Sequence, residues 1–197
     1  MSSSQINPTN GQYDEPTEIV TIFDDKGREL DCYLENELQY DGKTYVLLMP
    51  VDVAIVIFTE NVEGEGEQEG EAVIVDDEEE ISAIFDTAKA VLAELNLSLK
   101  RTGYILTASG ELPPLEEENI ISLEVEEHSS EIEPEELQFL ASFYFQGQKY
   151  NVCTPVSPIL FIGEKIESGK IRILSEEDEK MNWIVEQLLF EEEDREN

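Results

Sequence analysis

The sequence predicts an α+β chain of two pseudo-repeated units, each made of antiparallel β-hairpins and strands followed by one amphipathic helix. Three observations predict it. Apolar residues between Ile19 and Phe58 follow strand-like patterns broken by turn residues. The period then changes to helical spacing from Ile81 to Leu95. Both patterns return about a hundred residues later in the chain.

The elements follow in order. Residues 1–17 are rich in Ser, Asn, Thr and Pro and read as a flexible tail. Ile19-Val20-Thr21-Ile22-Phe23 is β-branched and aromatic, hence a strand. Asp24-Asp25-Lys26-Gly27 supplies a turn, and Arg28 to Leu34 returns with Leu30, Cys32 and Leu34 on one face. A second hairpin has Glu37 to Tyr40 as one arm, Asp41-Gly42 as its turn and Lys43 to Met49 as its return. Pro50 stops that strand because it has no N–H for a ladder. Val53 to Phe58 is continuously apolar, as a strand covered on both faces would be.

Residues 60–71 form a Glu/Gly-rich acidic loop, and Ala72 to Val75 is a short strand. Asp76 or Asp77 is placed to cap a helix, with Glu78 to Glu80 at its positive dipole end. Ile81, Ile84, Phe85, Ala88, Leu92 and Leu95 form the buried stripe. Leu97 to Leu112 is β-rich with Tyr104-Ile105-Leu106 at its centre, and Pro113-Pro114 closes it. One strand is expected at Ile120 to Val125 within an acidic connector.

Leu38–Phe58 set against Phe143–Gly163, at an offset of 105, shows five identities in 21 ungapped positions. These are Gly42/Gly147, Tyr45/Tyr150, Pro50/Pro155, Val51/Val156 and Ile57/Ile162. Farther on, the stripe Ile81, Ile84, Phe85, Ala88 matches Met181, Ile184, Val185, Leu188, preceded by Ser175 and Asp178 in the manner of a capping box. The expected boundaries are a tail over 1–17, a first unit over 18–96, a β-rich connector over 97–115, a second unit over 116–190 and an acidic tail over 191–197.

Composition narrows the function. Twelve Lys and Arg stand against 47 Asp and Glu, a formal net charge of -35. That field repels phosphates and anionic lipid, which argues against nucleic acid as a partner, and it attracts basic protein surfaces. The longest apolar run, Val53 to Phe58, is too short to insert in a membrane, and the first residues lack the basic and apolar regions of a secretory signal. A cytosolic chain is expected.

Catalytic groupings do not emerge, so no catalytic, cofactor-binding or metal residue is assigned. Cys32 and Cys153 lie in apolar strand-like runs and read as buried free thiols. The sole histidine, His128, sits among Glu126, Glu127, Ser129 and Ser130 and reads as a solvated loop residue. One His and two separated Cys cannot assemble a zinc site of the usual kind. Asp24 to Glu29 lacks the alternating ligands of an EF-hand and reads as a turn. The Glu/Gly loop is expected to be solvated rather than a cation site. Lys100-Arg101, the one adjacent basic pair, reads as an anchor for internal ion pairs. No phosphate-loop, dinucleotide, nucleophile-elbow or zinc-protease pattern occurs.

The runs Ile19 to Gly27, Tyr40-Asp41-Gly42-Lys43-Thr44-Tyr45 and Leu48-Met49-Pro50-Val51-Asp52, followed by an acidic stretch and a helix, resemble small acidic YrzB-like proteins. With Thr102-Gly103-Tyr104-Ile105-Leu106-Thr107, Gly110-Glu111-Leu112-Pro113-Pro114 and the second unit, the chain from about 18 to 190 resembles an uncharacterised cyanobacterial and plastid family. The resemblance implies a phototroph and a cytosolic or stromal setting, and carries over no site residue. The expected function is therefore a non-enzymatic interaction, assembly or regulatory factor with a basic protein partner and no cofactor. The alternative is an enzyme or small-ligand module with its site between the two units.

Overall fold

The computed structural model describes residues 18–61, 71–123, 135–175 and 181–190. The expectations for the 1–17 tail, most of the acidic loop, His128, Asp178 and the 191–197 tail lie outside the described residues.

The first hairpin pairs β1 (Ile19–Phe23) with β2 (Glu29–Tyr40), and β2 turns into β3 (Lys43–Pro50). The two arms expected around Leu34 and Glu37 are thus one strand. A bulge at Glu35 lets a single strand serve two neighbours, because the extra residue bends it. At the β2–β3 turn Asp41 and Gly42 take φ of 51° and 73°, the paired positive values that a two-residue turn needs.

The chain leaves this sheet at Pro50. Val51 and Asp52 have none of the positive-φ geometry that would fold β4 (Val53–Asn61) back beside β3. β4 instead enters a second sheet and is covered on both faces, with Ile55 and Ile57 in one core and Phe58 in another. β5 (Glu71–Ile74) pairs with the end of β4, and α1 (Glu78–Ala93) follows. Asp77 caps α1 by accepting from the N–H groups of Glu79 and Glu80.

β6 (Ser98–Arg101) and β7 (Leu106–Ser109) form a short hairpin. Tyr104 is not the centre of a strand as expected. It sits in the turn at φ 65°, because Gly103 packs so closely on Arg28 that the chain must bend there. β8 (Ile120–Leu123), β9 (Glu135–Phe145) and β10 (Gln148–Pro155) complete the second sheet. The chain then crosses back to the first sheet as β11 (Phe161–Lys165) and β12 (Ile171–Ile173), and ends its described part in α2 (Met181–Phe190).

All pairings are antiparallel. The first sheet runs β1-β2-β3-β11-β12, and the second β6-β7-β4-β10-β9-β8, with β5 also on β4. This overturns the expected fold class. The chain is mostly β, with two antiparallel sheets and two α-helices among the described residues, and it is not a pair of units each closed by its own helix. Both sheets mix strands from the two halves. Ile57 stands opposite Val152, and Ile162 opposite Leu47, so each strand joins the other half's hairpin. The helices cross over likewise: α1 packs on β9 and β6, while α2 packs on β2 and β3. The apolar stripe of α2, with Ile184 and Leu188, buries against Leu38, Tyr45 and Leu47.

Candidate functional site

Among the described residues, a concave region lies at the seam where the chain crosses between sheets. One cleft, of about 310 Å³, is lined by both crossovers: Met49 to Ala54 on one side and Thr154 to Ile159 on the other. Three prolines, Pro50, Pro155 and Pro158, stand in its walls, so these walls have few backbone donors to offer a neighbouring strand. The lining is chiefly apolar, with Asp52 at its edge.

Two further cavities adjoin it. Asp52 and Val51 are shared with a polar cavity of about 340 Å³ that also holds Glu29, Asp31, Lys100 and Thr107. Ile159 is shared with a cavity of about 250 Å³ between β4, the start of α1 and the 102–106 turn.

The rim of this last cavity carries the densest charge network described. Glu78 receives Lys26 Nζ at 2.8 Å, Arg28 Nη2 at 3.0 Å and Arg101 Nη2 at 2.6 Å. The hydrogen bond from Lys26 is the largest influence on the Glu78 carboxyl; burial opposes it, and the hydrogen bond and charge of Arg28 add to it, so the carboxyl is drawn down to about 2. Arg28 also reaches back to Asp24, Nε to Oδ2 at 2.7 Å. Asp24 accepts the backbone N–H groups of Lys26 and Arg28 as well, which ties the β1–β2 turn. Burial pushes the Asp24 carboxyl up, and these hydrogen bonds outweigh it, so its pKa falls. The network therefore joins the first hairpin, α1 and β6 by fixed charges.

The residues singled out in the sequence take clear places. Lys100 pairs with Asp52 at 2.7 Å and Arg101 with Glu78, the internal anchoring expected of that pair. Asp24 to Glu29 is a hairpin turn. Cys32 and Cys153 are free and fully buried, on separate sheets. Desolvation lifts the Cys32 thiol to about 11 and the Cys153 thiol to about 12, which keeps both protonated and poor as nucleophiles. The hub at Glu78 was not foreseen; one glutamate among so many carries no signal in the sequence.

Tyr150 is buried beneath α1, and its hydroxyl donates to Glu80 Oε1 at 2.9 Å. Desolvation first, then that hydrogen bond, lifts the phenol to about 12, so it is a fixed donor and no acid catalyst at neutral pH. Among the described residues no group of three or more His, Cys, Asp or Glu is placed to hold a metal ion. No described helix is long and apolar enough to cross a membrane.

Comparison with known proteins divides the chain where α1 gives way to β6. Residues 25–93 match a family model described as "Protein of unknown function (DUF1292)", and residues 96–192 one described as "Protein of unknown function (DUF3727)". No solved structure matches the chain. A UPF0473 protein of Caldicellulosiruptor saccharolyticus is 32% identical over 76 residues, which cover 34% of this chain and 73% of that relative. With that share of the relative matched, the chain belongs to the UPF0473 family.

Proposed function

We propose that this is a non-enzymatic acidic protein, an interaction, assembly or regulatory factor that docks on a basic protein partner. The observation that carries the reading is how the few cations are used. Seven of the 12 Lys and Arg residues are consumed in ion pairs within the described part: three on Glu78, two on Glu164, Lys100 on Asp52 and Lys165 on Glu37. The pairing concentrates the positive charge on a handful of carboxylates. Most of the 47 acidic groups then act outward on any approaching surface, which favours a basic one and raises its rate of encounter.

The proposed setting is the cytosol of a phototroph or the stroma of a plastid, with kinship to the YrzB-like acidic proteins. It rests on the resemblance of the segments around Gly42, Gly103 and Pro113. The test is retention of partners from a phototroph extract on the immobilised chain at low salt. A defined basic protein in stoichiometric amount is expected, released at about 0.5 M salt where charges are screened beyond a few ångströms. Recovery of a mixed, salt-labile background alone overturns the reading.

A second reading is a small-ligand module or enzyme, favoured by the apolar cleft of about 310 Å³ between the crossovers. Thermal denaturation with a metabolite library tests it. A ligand at a hundredfold excess over its Kd adds about 2.7 kcal/mol of stability, and a library with no such member counts against the site.

A further inference from the structure

The strand β1 lies at the edge of the first sheet, with β2 as its one described neighbour. Edge strands in soluble proteins are commonly kept short or protected by charge, proline or a cover, because their free N–H and C=O groups pair with any extended chain. The other terminal strands, β5, β6, β8 and β12, are three or four residues long, and β9 beyond Gln138 also has no described strand on the side of β8. β1 has five residues, Ile-Val-Thr-Ile-Phe, with no charge and no proline among them.

The hydrogen-bond parity shows which groups face outward. Leu34 N–H donates to Glu18 O at one end, and Asp24 N–H donates to Arg28 O at the other. The even-numbered residues are therefore the ones bonded to β2, and the N–H groups of Ile19, Thr21 and Phe23 point away from the sheet. One outward carbonyl, that of Phe23, already accepts the Tyr104 hydroxyl at 2.7 Å, which marks the end of the open edge. The side chains of the same three residues lie on the solvent face, with Ile19 at 55% and Phe23 at 49% exposure.

The geometry points to β1 as a docking edge that takes an extended segment of a basic protein as an added strand. This rests on the reading of the protein as an acidic interaction factor and names the surface it uses. The charge around the edge selects the occupant. Glu18 precedes the strand, and on the same face Asp31 and Glu29 stand opposite Thr21 and Phe23. The nearby cations, Lys26 and Arg28, are held by Glu78. An added strand lies about 4.8 Å from β1, so Asp31 and Glu29 are about 10 Å away, within the reach of Lys and Arg side chains. Its alternate residues face the side of Val20, which is half-buried in the apolar cluster beneath, and are apolar. A second copy of this chain is disfavoured as occupant by the repulsion between two charges of -35.

The test uses the full chain and two peptides of equal charge, one alternating Lys and Val over seven residues, the other alternating Lys and Pro. The Lys-Val peptide should slow amide exchange at Ile19, Thr21 and Phe23, and the Lys-Pro peptide should not, since its proline residues cannot donate to a ladder. Thr21→Pro removes an outward N–H and keeps the backbone bonds to β2, but it also loses the bond from Thr21 Oγ1 to Asp31; Thr21→Val, which loses only that bond, is the control, and Thr21→Pro should weaken Lys-Val binding about tenfold relative to it. If that variant does not fold, the exchange data on the unaltered protein decide alone. Equal binding of both peptides, or binding without new protection at these three amides, overturns the docking edge and leaves the acidic-factor reading standing. Protection of the three amides in the free protein means that the chain covers its own edge, and also overturns it. Failure of both peptides to bind at low salt removes the docking edge and the acidic-factor reading together.

Discussion

Arg28 and Glu78, 50 residues apart, meet at 3.0 Å where the β1–β2 turn abuts the first turn of α1. The contact ties the edge hairpin of the first sheet to the helix that covers the second. Glu78 holds Lys26 and Arg101 too, so its loss leaves three cations facing one another.

Glu78→Gln is expected to destabilise the protein at neutral pH, and the deficit should vanish in acid. The folded carboxyl titrates at about 2 against an ordinary 4.5. A depressed carboxyl stabilises fully above its unfolded value and loses that contribution as pH falls through its folded one. The gap in denaturation midpoint between the two proteins should thus narrow from about pH 4.5 down to about 2. A gap that is constant with pH refutes the role given to this charge.

Gly103→Ala should cost about 1–3 kcal/mol in chemical denaturation, the range for forcing extra volume into a packed site. An added Cβ would stand 2.6 Å from the carbonyl oxygen of Arg28, and the turn cannot retreat while Gly103 N–H donates to Glu29 O at 3.0 Å. A neutral substitution would show that the turn is not seated as described.

Neither cysteine should react readily with a thiol reagent while the protein is folded. Both are fully buried, and their thiols are raised to about 11 and about 12. Labelling at pH 8 should be slow in buffer and immediate in guanidinium chloride. Fast native labelling of Cys32 or Cys153 is the contrary result.

Leu92→Ala in α1 should cost about 2–5 kcal/mol as a large-to-small change in a core. Leu92 has no exposed surface and belongs to the second sheet's core, while the single tryptophan, Trp183, sits on α2 against Tyr40, with ring centroids 4.3 Å apart. Because the halves share both sheets, the Trp183 fluorescence transition should move together with the far-ultraviolet circular dichroism. A Trp183 transition that stays in place would mean that the sheets unfold separately.

Much of the local structure was legible because it is written in periods and turn residues. Asp41-Gly42, the helical stripe through Ile84 and Leu92, and the doubly covered run at Val53 to Phe58 all lie where their chemistry put them. The pairing of strands was not legible. Ile57 and Ile162 occupy the same place in the sequence pattern, and so do Leu47 and Val152, so hydrophobicity alone accepts either hairpin as a neighbour. The choice comes from the crossovers, which carry each chain end away from its own hairpin. Tyr104 misled for another reason: Tyr-Ile-Leu favours a strand by propensity, and a close tertiary contact at Gly103 bends it. The scarcity of cations did help, since Lys100-Arg101 stood out for that reason and proved to hold two of the internal pairs.

The crossing of strands between sheets also imposes an order on synthesis. β3 is complete at Pro50, yet its neighbour β11 begins only at Phe161. A ribosome adding roughly 5–20 residues per second leaves that edge waiting for several seconds. During this time Val46 and Leu48, which end with no exposed surface, have β1 and β2 beside them but lack Phe161, Ile171 and Ile173, which complete their cluster. Nascent chains on one message already carry ten carboxylates against three Lys and Arg residues by Pro50. Their mutual repulsion keeps half-made copies apart until each can close on itself.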